Sequence, residues 1–410
     1  MRAFVFTDRS LARHAGQFVW LEIDTEKARN AAVRKRLKVQ ALPTFFVLDP
    51  ADERVALRWV GGATAPEMVR LLDDGALAVS GKRGPSTSPS LPDETRAAGA
   101  MDVRDDSAAV RRARAAGPAN AALARADSLY GAGDDAAAAR AYDEALALAP
   151  EGWPQDARAV GSALFALASA GDDLAAARLA RAAFPRLART SAAANVAASG
   201  LDAALSLADS LPGRPDLVVA LETDARAVVA DTALAIAADD RSSVYISLLD
   251  ARKDAGDDAG ARQVASAWAA FLESQAARAP NPDARAVFDS HRLSACLELG
   301  VPERALPMLE ASERDLPGDY NPPARLAVAL KALRRWDEAL AASDRALAKA
   351  YGPRQLGILQ TRSDIYAGRG DAAAARRTLE DALALAESFP PGQRSEATIA
   401  GLKKKLGALK

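Results

Sequence analysis

The chain has 410 residues, and its 53 Lys and Arg against 54 Asp and Glu leave a formal net charge of −1. The two signs are interleaved rather than clustered, which argues against a nucleic-acid partner, since phosphates are neutralised by a concentrated basic surface. Half of the residues are hydrophobic but only 5% are aromatic, a balance suited to close-packed helices rather than a large sheet core, and no apolar run approaches the roughly 20 residues that span a bilayer.

From the start of the chain, Gln17 to Asp24 (QFVWLEID) and Pro43 to Pro50 (PTFFVLDP) read as short strands separated by a helical pattern from Glu26 to Lys38. Strand, helix, strand predicts a crossover with parallel strands. Arg54 to Val60 alternates and lies close enough to Leu48 for an antiparallel hairpin. Gly61 and Gly62 then break the strand, and Pro66 opens a helix to Leu72.

The run Val39-Gln40-Ala41-Leu42-Pro43-Thr44-Phe45, followed by a strand and Asp49-Pro50, resembles the cis-proline loop of the thioredoxin family, and Trp59-Val60-Gly61 resembles that family's last strand and glycine. The resemblance implies a cis proline at Pro43 and an edge at Leu42, Pro43 and Thr44 that pairs with an extended substrate segment. The plainer alternative is a trans proline opening a strand. A thioredoxin also needs a Cys-x-x-Cys at a helix N-terminus, where one thiol is activated and the other resolves the mixed disulfide. This chain has one cysteine, Cys296, between Leu293 and Leu297 on a repeat helix, where it reads as a buried inert thiol. His14 and His291 have no metal or triad pattern around them.

Met1 to Asp8 (MRAFVFTD) resembles the segment that follows the dithiol in many thioredoxin-like proteins. That resemblance implies an internal methionine at position 1 and an incomplete domain. The strand it implies as lost would sit between Phe18 to Asp24 and Thr44 to Leu48, so those two strands either close up or leave a marginal fold.

Ser80 to Pro92 is rich in Pro, Ser and Gly and reads as a flexible linker. A short polar helix is predicted from about Ser107 to Ala116, punctuated by Gly117-Pro118. From there the chain repeats. Ala119 to Pro150 reads as two helices around Gly133-Asp134-Asp135, with Leu123, Ala126 and Tyr130 on one and Ala138, Tyr142, Ala145 and Leu146 on the other. Gly133 can end the first helix left-handed and the aspartates can cap the second. The unit resembles a tetratricopeptide repeat.

The turn recurs as Gly171-Asp172-Asp173 and Gly256-Asp257-Asp258, and more loosely at Gly300, Arg334 and Gly370. Gly133 and Gly171 are 38 residues apart, Gly300 and Arg334 are 34 apart, and Arg334 and Gly370 are 36 apart, near that family's period of about 34. Ala305 and Pro317, Ala339 and Ala346, and Ala375, Leu379 and Ala382 match the first unit's small and proline positions. The wider gap from Gly171 to Gly256 holds one degenerate hairpin turning near Gly213, with helices from about Ala192 to Leu211 and Asp216 to Ala237, for about seven hairpins in all. Lys403-Lys404-Lys405 reads as a solvated helix end.

The expected fold is therefore an incomplete α/β thioredoxin-like domain over residues 1–78, a linker and short helix over 79–117, and an all-α TPR-like superhelical solenoid over 118–410. Two function classes stand. One is a protein-interaction scaffold whose repeats hold a protein or peptide client beside a redox-inactive amino-terminal domain. The other is a thiol–disulfide oxidoreductase whose dithiol lies upstream of Met1. Neither reading of the residues present requires a cofactor or metal. As written no signal peptide precedes the fold, which reads as cytoplasmic, while a start upstream leaves export open.

Overall fold

The computed structural model describes residues 6, 8–23, 30–37, 44–60, 65–80, 108–131, 133–389 and 394–408. The chain divides into two compact units, one of residues 91–275 and one of residues 1–90 together with 276–410.

In the amino-terminal segment, β1 (Thr44–Leu48) and β2 (Val55–Val60) pair antiparallel, with Thr44 opposite Val60 and an irregularity at Val47/Leu48. Asp49 builds the turn: its carboxylate accepts from the Ala51 amide, and its backbone N–H donates to Arg54. Short α1 (Ala31–Arg36) falls within the expected helical pattern, and α2 (Ala65–Val79) begins where Pro66 predicts but runs seven residues beyond Leu72. Its interior Gly75 explains how it continues over the hairpin, because a Cβ there would stand 2.7 Å from Val47 Cγ2. Leu11, Val47, Leu57, Met68, Leu71 and Leu72 form the core between the hairpin, α2 and a 3-10 turn at Arg9–His14.

The parallel crossover is corrected by this arrangement. Among the described residues the only sheet has two antiparallel strands, and Phe18 to Ile23 lies in no strand, so the thioredoxin-like class is not confirmed by them. The residues have strand-forming side chains, but a strand is completed by a partner backbone and by burial of one face. Here Val19 is 89% exposed and Leu21 76%, with Trp20 and Ile23 exposed as well. The hairpin succeeds because its partner is a few residues away in sequence. The pattern in 17–24 had no such local partner. Leu42, Pro43 and most of the 79–107 stretch lie outside the described residues.

Residues 108–275 form helices joined by turns and loops, with no strand among the described residues. Helix α3 (Ala108–Gly131) runs through Gly117-Pro118 without a break, carrying Pro118 inside it. It is followed by α4 (Asp135–Ala147), α5 (Asp156–Ser169), α6 (Asp173–Leu187), α7 (Ala193–Ser206), α8 (Arg214–Ala230), α9 (Ala238–Asp254) and α10 (Asp258–Ala277). From α3 to α9 consecutive helices pack on one another, and the first helices of neighbouring hairpins also touch, α5 on α7 and α7 on α9. In residues 276–410 the order is α11 (Pro282–Ala286), α12 (Asp289–Glu298), a 3-10 turn at Pro302–Ala305, α13 (Leu306–Asp315), α14 (Asn321–Ala332), α15 (Trp336–Lys349), α16 (Arg354–Arg369), α17 (Ala372–Ser388) and α18 (Glu396–Ala408). There α14 packs on α15 and on α16, and α17 on α16 and α18.

One turn geometry recurs in both units. Gly133, Gly171, Gly256, Gly300, Arg334 and Gly370 all have positive φ, between 57° and 91°. Each donates its N–H to the carbonyl three residues back, and the next residue donates to the carbonyl five back, as in Gly133 to Tyr130 and Asp134 to Leu129. This double bond pattern closes a helix end with a left-handed residue. Asp134, Asp172, Asp257 and Asp371 then accept from the amides of Ala137, Ala175, Gly260 and Ala374, capping the second helix. Arg334 adopts the same conformation without being glycine, at a cost of about 1–2 kcal/mol for an L-residue.

The small residues do what the repeat alignment requires. Ala138, Ala145, Ala305, Ala339, Ala346, Ala375 and Ala382 are all fully buried, where a methyl side chain lets two helical backbones approach closely. The degenerate hairpin turns at left-handed Gly213 as expected, but α7 stops at Ser206 and α8 at Ala230. Two buried arginines replace the missing glycine caps. Arg214 donates to the carbonyls of Leu205 and Leu207, and Arg241 to those of Val228, Asp231 and Leu234.

Candidate functional site

Each residue singled out in the sequence has a defined place or lies outside the described residues. Thr44 opens β1 and is half-buried, whereas Leu42 and Pro43 are among those not described. Cys296 is buried on α12 in a cluster with Leu293, Leu309, Leu326 and Leu330. His14 is buried beside Asp73, with Nε2 3.3 Å from Oδ1, and its Nδ1 lies 3.2 Å from Gln17 Oε1. No group of three or more His, Cys, Asp or Glu side chains converges among the described residues, and no described helix is long and apolar enough to cross a membrane.

A polar face runs along the first helices of the hairpins in residues 118–275. On α5, Arg158, Ser162, Phe165 and Ser169 recur at helical spacing and stay at least partly exposed. Asn195, Ser199 and Asp202 do the same on α7. The two rows adjoin, since a Cβ at Gly161 would lie 3.8 Å from Asn195 Oδ1.

At one side of this face, Arg158 Nη2 donates to Asp127 Oδ2 of α3 at 2.5 Å, and the Tyr142 hydroxyl donates to Asp127 Oδ1 at 2.9 Å. Burial and the neighbouring Asp127 charge push the Tyr142 hydroxyl far up, so it remains a donor. At the other side, burial raises the Asp202 carboxyl; Ser247 of α9 lowers it by a hydrogen bond, and the charge of Asp250 raises it further. Phe165, on the same α5 row as Arg158, is 55% exposed.

In residues 276–410 charged and aromatic side chains make contacts between helices. Lys331 of α14 pairs with Asp364 of α16 at 3.2 Å. Arg354 stacks over the Tyr351 ring at 4.9 Å and the Tyr320 ring at 5.8 Å. Arg362 lies over Tyr366 at 5.4 Å and donates to Ser343 Oγ at 2.7 Å. These contacts tie α14, α15 and α16 together, and the spacing of arginines and tyrosines gave no forewarning of them.

Recurring hairpins, their shared left-handed turns and their matched buried alanines set the class of the helical part. The repeats are TPR-like. No protein-family model matches the chain, and no curated protein matches it. Among solved structures, it is similar to a tetratricopeptide repeat protein from Parabacteroides merdae ATCC 43184, at 9% identity and a TM-score of 0.45, over 71% of this chain and 98% of that one. It is also similar to the TPR2AB domain of yeast Sti1 in a complex with pHSP90, at 15% identity and a TM-score of 0.26, over 70% of this chain and 98% of that one. At those scores neither likeness adds to what the hairpins themselves establish.

Proposed function

We propose that this chain is a protein-interaction scaffold whose TPR-like repeats hold an extended segment of a client protein on the face formed by α5 and α7. The observation that carries the reading is Phe165, a large apolar ring left 55% exposed on the α5 row that also carries Arg158. An aromatic anchor flanked by ordered polar groups supplies both contact area and direction to a bound peptide. Random-peptide display against the whole purified chain tests it. Enriched peptides should bind Phe165→Ala at least tenfold more weakly, with its melting midpoint unchanged. No enrichment, or enriched peptides indifferent to Phe165→Ala and Asp202→Lys alike, would reject it.

The division into residues 1–78, 79–117 and 118–410 belongs to the same proposal, as does a non-catalytic docking edge at Leu42, Pro43 and Thr44. The edge is supported by the resemblance of these positions to the cis-proline loop and by Thr44 opening β1. Pro43→Ala should weaken a client that uses this edge while the repeats melt as before. A client bound equally well by both forms removes the edge from the proposal. Thiol–disulfide exchange is not proposed, because it needs two thiols within reach and Cys296 is a single buried thiol.

A further inference from the structure

Asp289 opens α12 with its side chain 0% exposed, and neither carboxylate oxygen has a hydrogen-bond partner. Ser312 of α13 is equally buried, and its hydroxyl makes no hydrogen bond of full geometry although it lies near enough to the Asp289 carboxyl to lower it. Arg292, one turn further along α12, brings Nη1 to 3.7 Å from Asp289 Oδ1, too far for a hydrogen bond, and its own buried Nε is unpartnered.

The other charges acting on Asp289 are Arg285 of α11, which is paired with Asp315 of α13, and Arg325 of α14. None from the 3-10 turn at Pro302–Ala305 is among them. A helix N-terminus favours a carboxylate, but that is a small effect beside the desolvation of a fully buried ion with no hydrogen bonds. A protonated carboxyl avoids that penalty and adds an O–H donor beside the Ser312 hydroxyl.

We infer that Asp289 is a proton latch between α12 and α13, closed when the side chain is the neutral acid and loosened when rising pH removes its proton. Burial, the largest influence, holds the carboxyl above its ordinary value of 3.8, while Ser312, Arg292, Arg325 and Arg285 pull the other way. The folded-state value therefore lies above the unfolded one. The latch contributes fully below the unfolded value, loses its contribution as pH rises through the folded value, and stays open above it.

The test compares Asp289→Asn with the whole wild-type chain in urea unfolding followed by circular dichroism from pH 4 to pH 8. Asparagine keeps the shape but cannot titrate. The variant should gain on the wild type as pH rises, by up to about tenfold in the folding equilibrium constant per pH unit within the titration window. A variant that loses ground with rising pH, or keeps a constant difference, overturns the latch, the first outcome identifying an ionised pair with Arg292. Asp289→Ala carries the same comparison if asparagine does not fold, because only the slope with pH is read. Should neither fold, amide exchange in the wild type decides, with protection of α12 and α13 falling relative to α16 across the same rise in pH, or else not.

Discussion

Trp268→Ala will destabilise the unit of residues 91–275 by about 3–5 kcal/mol, the usual cost of truncating a fully buried aromatic. Trp268 lies on α10 with its ring enclosed, and its Nε1 donates to Ser242 Oγ of α9 at 2.6 Å. Truncation leaves a cavity where a fully buried indole stood and takes a donor away from a buried hydroxyl on α9. Trp268→Phe should cost less than alanine, since it keeps a six-membered ring in the site while losing the hydrogen bond, at about 0.5–1.5 kcal/mol, and part of the indole volume. Against a domain stability of about 5–15 kcal/mol, the alanine variant should sit near the edge of folding. Urea midpoints from circular dichroism check this. Equal midpoints for alanine and phenylalanine would show that burial of an aromatic ring at this position does not carry the stability assigned to it.

The success of the sequence reading follows from the range over which each signal acts. A Gly-Asp turn is closed by bonds reaching three to five residues back and a cap reaching three residues forward, so Gly133-Asp134 and Gly171-Asp172 announce their geometry in sequence. Even Arg334, lacking the glycine, was placed by its 34-residue offset from Gly300. Long-range requirements were not legible. Gln17 to Asp24 has the composition of a strand, but what decides its state is a partner backbone that sequence does not identify. Gly117-Pro118 resembled a break, yet a proline costs a helix only one hydrogen bond and a local clash, and α3 absorbs both.

The face proposed to bind a client was half legible. Its hairpin helices were placed correctly, but Phe165 could not be distinguished from a core residue, because exposure depends on how α5 is rotated against α4, α6 and α7. The buried arginines show the same limit. Arg214 and Arg241 resemble surface charges in a polar sequence, and only the ended helices α7 and α8 reveal that they satisfy orphan carbonyls. Asp289 carries no local mark either, since its burial depends on α11, α13 and α14 together.

Gly200→Ala should destabilise the same unit by about 1–3 kcal/mol, although alanine is the better helix former by about 1 kcal/mol. The reason is contact on two sides. An added Cβ on α7 would stand 2.4 Å from Ala180 Cβ of α6 and 3.0 Å from Leu221 Cδ2 of α8. Ala180 has no rotamer through which to retreat, so its backbone must shift, and both neighbours are themselves fully buried. Gly161→Ala on α5 is the matched control, because its nearest atom is Asn195 Oδ1 at 3.8 Å, an ordinary contact. That variant should be stabilised by up to about 1 kcal/mol through helix propensity alone. Opposite signs in urea unfolding are expected from the same chemical change, one turn-forming hairpin apart. If both alanines stabilise, α7 is not wedged between α6 and α8 as closely as this packing requires, and the tight contact assigned to Gly200 is wrong.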